Sequence, residues 1–212
     1  MPKTQPTEFG EQKKKMTNIR FEVPSWNQIY KMLISQAEAI RHSGFQPDII
    51  VGISRGGWIP ARVLSDLLEN PTLASVQVNT HSGASQAESL PTITQKTSIP
   101  VTKKKVLIAD DVADSGKSLK VVKEYVLHQG AAVAKIATLY HKPWSAVKPE
   151  FYEKETSKWI VFPWDRKETV RRIVKEKKET QARKEIEKLA SAGFPKPLVE
   201  KFLRETSGEQ TC

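Results

Sequence analysis

Residues 106–118 read VLIADDVADSGKS. With Lys105, the opening run KVLIA (105–109) is short, apolar and without alternation, the pattern of a strand buried on both faces. DDVADSGKS (110–118) follows as its exit loop. Leu119, Val122, Val126 and Leu127 then recur at helical spacing, and Gly130 stands where that helix would stop. Strand, polar turn and helix form the repeating unit of a mostly parallel sheet with helices on its faces. In such sheets ligands bind beyond the carboxyl ends of the strands, so the turn at 110–118 is where chemistry is expected.

The residues of that turn narrow the chemistry. Gly116-Lys117-Ser118 invites comparison with a triphosphate-binding loop, but that loop needs a glycine five residues before its Gly-Lys pair. Asp111 occupies the position here, and a carboxylate would oppose the triphosphate. The stretch from Asp114 to Ser118 suits a single terminal phosphate better. Amides at a helix start lack intrahelical partners, Ser115 and Ser118 add hydroxyls, and Gly116 lets the backbone approach closely. Asp110 and Asp111 alternate in direction, so at least one should face the ligand. Carboxylates beside a phosphate repel it unless ribose hydroxyls or a magnesium ion (Mg2+) occupy them. The expected ligand is therefore a phosphorylated sugar with free hydroxyls. A plain acidic turn, with Asp114 capping the next helix, would explain an isolated Asp-Ser-Gly but not the whole string.

Working outward, DIIVGI (48–53) is a second buried strand, and it runs into SRGG (54–57) and a helical pattern through Ile59, Val63, Leu64, Leu67 and Leu68. Arg55 offers a forked donor for phosphate oxygens, and Gly56 and Gly57 allow close backbone approach. Before it, Trp26, Ile29, Leu33, Ala37 and Ile40 mark a helix ended near Gly44. ASVQVNT (74–80), AKIATLY (134–140) and KWIVF (158–162) read as further strands, the last of the series. Residues 81–104 are rich in Ser, Thr, Gln and Pro without a core pattern, which suggests a lid or binding loop. Beyond Arg166, RKETVRRIVKEKKETQARKEIEKLASAG reads as one largely exposed charged helix ended near Gly193, with a short helix over 194–205.

Composition sets outer limits. The chain has 212 residues, 34 Lys and Arg against 24 Asp and Glu, and a net charge of +10. That length supports one domain with a sizeable core and an appendage. No apolar run is long enough to span a membrane, and the N-terminus lacks the apolar stretch of a secretory signal. The single cysteine, Cys212, fits a reducing cytosol, so a cytoplasmic location is expected. The basic excess suggests an anionic partner without choosing among nucleic acid, acidic membrane and phosphorylated metabolites.

VLIADDVADSGKS resembles the phosphoribosyl pyrophosphate signature of the type I phosphoribosyltransferases, with Ser115 where the family usually has Thr. The resemblance spans about residues 25–165 and implies that family's α/β fold, a mostly parallel sheet with flanking helices, here with a charged C-terminal helical extension. It implies that Asp110 and Asp111 bind the ribose hydroxyls, that Asp111 also meets the magnesium, and that Asp114 is the proton acceptor over the base. Residues Ser115, Gly116, Lys117 and Ser118 would hold the 5-phosphate. VGISRGG (51–57) is similar to the family's pyrophosphate loop, which assigns Ser54, Arg55, Gly56 and Gly57 to the donor and would suit a cis or strained peptide near Ser54-Arg55. YHKPW (140–144) and KWIVFPWD (158–165) resemble the base-reading parts of 6-oxopurine enzymes, closest to xanthine–guanine phosphoribosyltransferases. By that likeness Lys142 bonds the purine O6, Trp159 stacks on the ring, the Ile160 backbone reads the base edge, and Asp165 lies toward either the 2-position or the metal-pyrophosphate side.

The expected organisation is a flexible basic segment over 1–22, a phosphoribosyltransferase domain over 23–165 with a lid within 80–104, and the extension over 166–212. The expected partners are phosphoribosyl pyrophosphate and a purine base, with no membrane. A homodimer or higher homo-oligomer is the expected assembly, although no residue fixes it. Two alternatives stand beside salvage of a 6-oxopurine: the same chemistry on another base, and a non-catalytic nucleotide-sensing regulator that binds nucleic acid through Lys13–Lys15 and the tail. The tail mixes Glu with its Lys and Arg, so nucleic acid is the weaker reading. His141 is expected to be structural, and no His–Cys cluster suggests zinc.

Overall fold

The computed structural model describes residues 20–70, 72–79 and 91–206. The Lys13–Lys15 run, residues 80–90 of the expected lid, and Cys212 lie outside the described residues. The chain divides into two units: residues 26–157, and residues 20–25 together with 158–206.

The unit formed by 26–157 is an α/β layer. Helix α1 (Trp26–His42) leads to β2 (Ile49–Ser54), α2 (Trp58–Leu67), β3 (Leu73–Asn79), β4 (Thr92–Gln95), β5 (Lys105–Ala113), α3 (Lys117–His128), β6 (Val133–His141) and β7 (Phe151–Glu155), while β1 (Phe21–Glu22) belongs to the other unit. The six strands lie in the order β4-β3-β2-β5-β6-β7. Every pairing is parallel except β3 with β4. The central strands read as continuous apolar runs because helices cover both faces. Ile50, Val51, Val106, Leu107, Ile108 and Ala109 are fully buried. Each Leu or Ile so enclosed contributes about 1.5–3 kcal/mol. The face of α1 that packs inward is Ile29, Leu33, Ala37 and Ile40, and Gln36 among them donates to the Thr138 carbonyl at 2.8 Å.

Two expectations are corrected here, and one strand is added. The strand at 105 does not stop at Ala109: Asp110, Val112 and Ala113 pair with Thr138, Tyr140 and His141 of β6, so the acidic doublet stands on a strand end and the exit turn begins at Asp114. Part of the stretch expected to lack a core pattern has one. Thr92–Gln95 forms the antiparallel edge strand, Val101 is buried, and Ile93 and Ile99 pack on the central cluster. The added strand is β7, whose sequence FYEKE has no apolar run to announce it. Its ladder with β6 begins at Ala137–Phe151. Just before it, Glu150 continues the pairing with its side chain: Oε2 accepts the Ile136 N–H at 2.7 Å, and Oε1 accepts from Lys123 Nζ at 2.7 Å.

Burial opposes ionisation of Glu150, but the bonds from Lys123 and Ile136 outweigh it and hold its carboxyl below the ordinary value. A carboxyl depressed in the folded state adds stability above its unfolded pKa, and that stability is lost as pH falls through the folded pKa. Glu150→Gln is therefore expected to melt below the wild type at neutral pH, with the gap narrowing once pH drops below about 4. Thermal melts from pH 7 to 3 check this; a gap constant to pH 3 would show that the charge of Glu150 is immaterial.

In the second unit, β1 (Phe21–Glu22) pairs in parallel with β8 (Trp159–Ile160). Residues 158–162 thus supply a strand outside the six-stranded sheet. The charged segment is not one helix but two, α4 (Arg166–Glu176) and α5 (Glu179–Ser191), followed by α6 (Lys196–Thr206). The break falls at Lys177 and Lys178, both extended in backbone. The segment is also less exposed than its composition suggests, since Val161, Val170, Ile173, Leu189, Phe194 and Val199 enclose a core of their own with Phe21. Among the described residues no helix is long and apolar enough to cross a membrane.

Candidate functional site

The carboxyl ends of β2 and β5 are neighbours, because Gly52 pairs with Ala109. The two small-residue loops leave from these ends and meet. A Cβ on Gly57 would overlap the Ala109 carbonyl and stand 2.8 Å from both the Asp110 Cα and the Ile53 carbonyl oxygen. A Cβ on Gly56 would overlap the Asp111 carboxylate. The glycines of SRGG are thus the spaces into which the acidic strand end fits. The Ser54–Arg55 peptide is cis. Gly57 N–H donates to the Ile53 carbonyl at 2.9 Å, and Trp58 N–H to the Arg55 carbonyl at 3.2 Å, which folds the loop onto the start of α2.

Asp110 and Asp111 stand half-buried at the same strand end. Burial, and then the neighbouring Asp111 charge, push the Asp110 carboxyl well above its ordinary value, against a hydrogen bond from the Asp111 N–H at 2.9 Å. A ligand offering hydroxyls or a cation would relieve that cost.

The turn after β5 is held from the other side. Gly116 adopts the left-handed conformation at φ 77° and caps α3. A Cβ there would be strained, and it would lie 2.7 Å from the Ser145 Oγ and the Val147 nitrogen. Ala146 N–H donates to the Ser115 carbonyl at 3.1 Å. Segment 142–147 therefore braces the turn that opens α3. It also carries Lys142, whose N–H donates to the Ala113 carbonyl at 3.0 Å. Lys142 is buried, an uncommon place for a lysine. Trp144 was not singled out from the sequence. Its indole N–H donates to the Asp114 Oδ1 at 3.0 Å, and Lys142 Nζ lies 5.5 Å from its ring centroid. His141 is held at Nδ1 against the Glu155 carboxylate at 3.1 Å and beside Tyr152, which suits a structural place.

One unit thus gathers Ser54, Arg55, Gly56, Gly57, Asp110, Asp111, Asp114, Ser115, Gly116, Lys117, Ser118 and Lys142. Trp159, Ile160 and Asp165 belong to the other. There Trp159 meets Phe21 at 5.9 Å between centroids and the Arg172 guanidinium at 4.8 Å. Ile160 is buried on β8, and Asp165 precedes α4, its carbonyl accepting the Thr169 N–H at 2.9 Å. Trp164 stacks on Phe162 at 4.8 Å.

Two loops wedge into each other around an acidic strand end, and one of them opens a helix, an arrangement chemically suited to an anion. Residues 24–169 match the phosphoribosyl transferase domain. The chain belongs to this family. Similar curated proteins include the xanthine-guanine phosphoribosyltransferase of Cereibacter sphaeroides (strain ATCC 17025 / ATH 2.4.3), 33% identical over 148 residues, covering 66% of this chain and 84% of that protein. The xanthine-guanine phosphoribosyltransferase of Ruegeria sp. (strain TM1040) is 32% identical over 159 residues, covering 66% and 83%. Among solved structures, the purine phosphoribosyltransferase from Pyrococcus horikoshii Ot3 superposes with a TM-score of 0.63 at 40% identity, over 69% of this chain and 94% of that one.

Proposed function

We propose that this chain moves ribose 5-phosphate from phosphoribosyl pyrophosphate to a ring nitrogen of a 6-oxopurine (xanthine, guanine or hypoxanthine) and releases pyrophosphate. The observation that supports this reading is the fit of Gly56 against the Asp111 carboxylate, which sets the SRGG loop and the acidic end of β5 side by side. The names of the relatives point the same way. Ser115 to Ser118 and the first turn of α3 hold the 5-phosphate. Asp110 and Asp111 take the ribose hydroxyls, and Arg55 with the Ser54–Gly57 backbone takes the pyrophosphate. Lys142 donates to the purine O6; an ammonium has no acceptor for the amino group of adenine, which gives the preference for an oxo group. Trp159, Ile160 and Asp165 are assigned to the base by family likeness.

The donor set suits magnesium. Among the described residues no cluster of three or more His, Cys, Asp or Glu could hold a metal alone. Magnesium needs only one or two carboxylates, with phosphate and hydroxyl oxygens and water completing its shell. Asp111 would hold it, and the ion would neutralise charge on the departing pyrophosphate.

The test is a panel assay with magnesium, phosphoribosyl pyrophosphate and xanthine, guanine, hypoxanthine, adenine, uracil and orotate. Nucleotide is expected from at least one 6-oxopurine; formation from none would overturn the reading. Lys142→Ala should lower kcat/KM for that purine about 10- to 100-fold, the worth of a charged hydrogen bond of about 1.5–3 kcal/mol. Turnover of adenine alone by the wild type would remove Lys142 from the base.

A further inference from the structure

Asp114 is exposed on a turn, where a carboxylate free to change rotamer would rarely point at a substrate proton. Trp144 supplies the missing restraint. Resting on the assignment of the base proton to Asp114, we propose that Trp144 is a positioning residue: its indole N–H fixes the Asp114 carboxylate while its ring seats Lys142.

The geometry has three parts. Trp Nε1 is a donor only, so its 3.0 Å contact with Asp114 Oδ1 has a defined sense and leaves the Oδ2 lone pairs to take a proton. Lys142 Nζ lies 5.5 Å from the same ring, within the range of cation–π attraction. The backbone around Trp144 is itself fixed: Ser145 N–H donates to the Lys142 carbonyl at 2.9 Å, and Ala146 N–H reaches the Ser115 carbonyl. Core packing does not account for the side chain, because Trp144 is 55% exposed. A large ring standing in solvent, tied at its N–H to one assigned group and at its face to another, spans the proton acceptor and the O6 donor.

In the step concerned, the purine N–H bond breaks and its proton passes to Asp114. The nitrogen electron pair forms the bond to C1 of the ribose. The C1–oxygen bond breaks, and its electron pair leaves with pyrophosphate. Trp144 takes no proton; it holds the acceptor where the proton departs.

The experiment is a double-mutant cycle in the full chain, with magnesium, phosphoribosyl pyrophosphate and the 6-oxopurine turned over fastest. Trp144→Phe keeps a ring and deletes the N–H. It should lower kcat about 10-fold, leave KM for the donor within about two-fold, and leave the melting temperature unchanged, since the site is exposed. In an Asp114→Asn background the same change should lower kcat less than about two-fold, because the group it positions no longer accepts a proton. Trp144→Ala, which also removes the ring, should reduce the preference for the 6-oxopurine over adenine, whereas Trp144→Phe should keep it. Equal losses in both backgrounds, or no loss of kcat in Trp144→Phe, would overturn the proposal while leaving Asp114 in place. Near-normal kcat in Asp114→Asn alone would instead overturn the assignment on which it rests.

Discussion

A Gly57→Ala protein is expected to fold and to lose about 100-fold in kcat/KM, the cost typical of a misplacement near 1 Å in a catalytic site. The added Cβ meets only main chain: it overlaps the Ala109 carbonyl and stands 2.8 Å from the Asp110 Cα and the Ile53 carbonyl. No side chain can rotate away, so either the 54–57 loop or the end of β5 must move. Each carries half of the donor site, and the two strands are tied in register at Gly52–Ala109. Overpacking of this kind costs about 1–3 kcal/mol, which in a chain of this size lowers the melting temperature by several degrees without unfolding it. Gly56→Ala is the informative companion, because its Cβ meets the Asp111 side chain and a carboxylate can turn aside. The expected order of damage to the fold is therefore Gly57 before Gly56, while both impair the donor site. Melting curves and kcat/KM for phosphoribosyl pyrophosphate measure the two effects separately. Unimpaired catalysis by a folded Gly57→Ala protein would show that the loop spacing does not matter.

Much of this site was legible because strand–turn–helix units announce themselves twice, by apolar runs and by the small residues that end them. VLIADDVADSGKS and VGISRGG carry both signals, and the structure brings them together. What was not legible depends on pairing across distance. The doublet and Val112-Ala113 look like turn residues, yet β6 offers them partners, so the strand runs on through four positions that composition assigns to a loop. Phe151–Glu155 is an edge strand paired on one side only, so it needs no apolar run and shows none. The interruption at Lys177–Lys178 carries neither glycine nor proline, the usual signals of a helix end. The small core of the second unit draws widely spaced residues such as Phe21, Val170, Leu189 and Val199 from four elements. Trp144 lay inside a string already assigned to base reading, but its bond to Asp114 joins residues thirty positions apart, and no local pattern encodes that.

Asp114→Asn should produce the sharpest kinetic signature: kcat lower by about 100- to 1,000-fold, within the range for loss of a general base, with donor affinity changed less than about three-fold. The division follows from position. The groups assigned to the donor are the helix-start turn, the SRGG loop and the doublet on β5, and the Asp114 side chain is not among them. That side chain accepts the Trp144 indole N–H, a bond the asparagine carbonyl can still accept, so the loop keeps its shape. Only the capacity to take a proton is lost. An interaction that matters in the transition state and not in the ground state lowers kcat and kcat/KM together, with little change in KM. Initial rates give the first quantity, and equilibrium binding of phosphoribosyl pyrophosphate with magnesium gives the second. A large fall in donor affinity with turnover preserved would reverse the assignment, making Asp114 a donor-site residue and leaving the proton to another group.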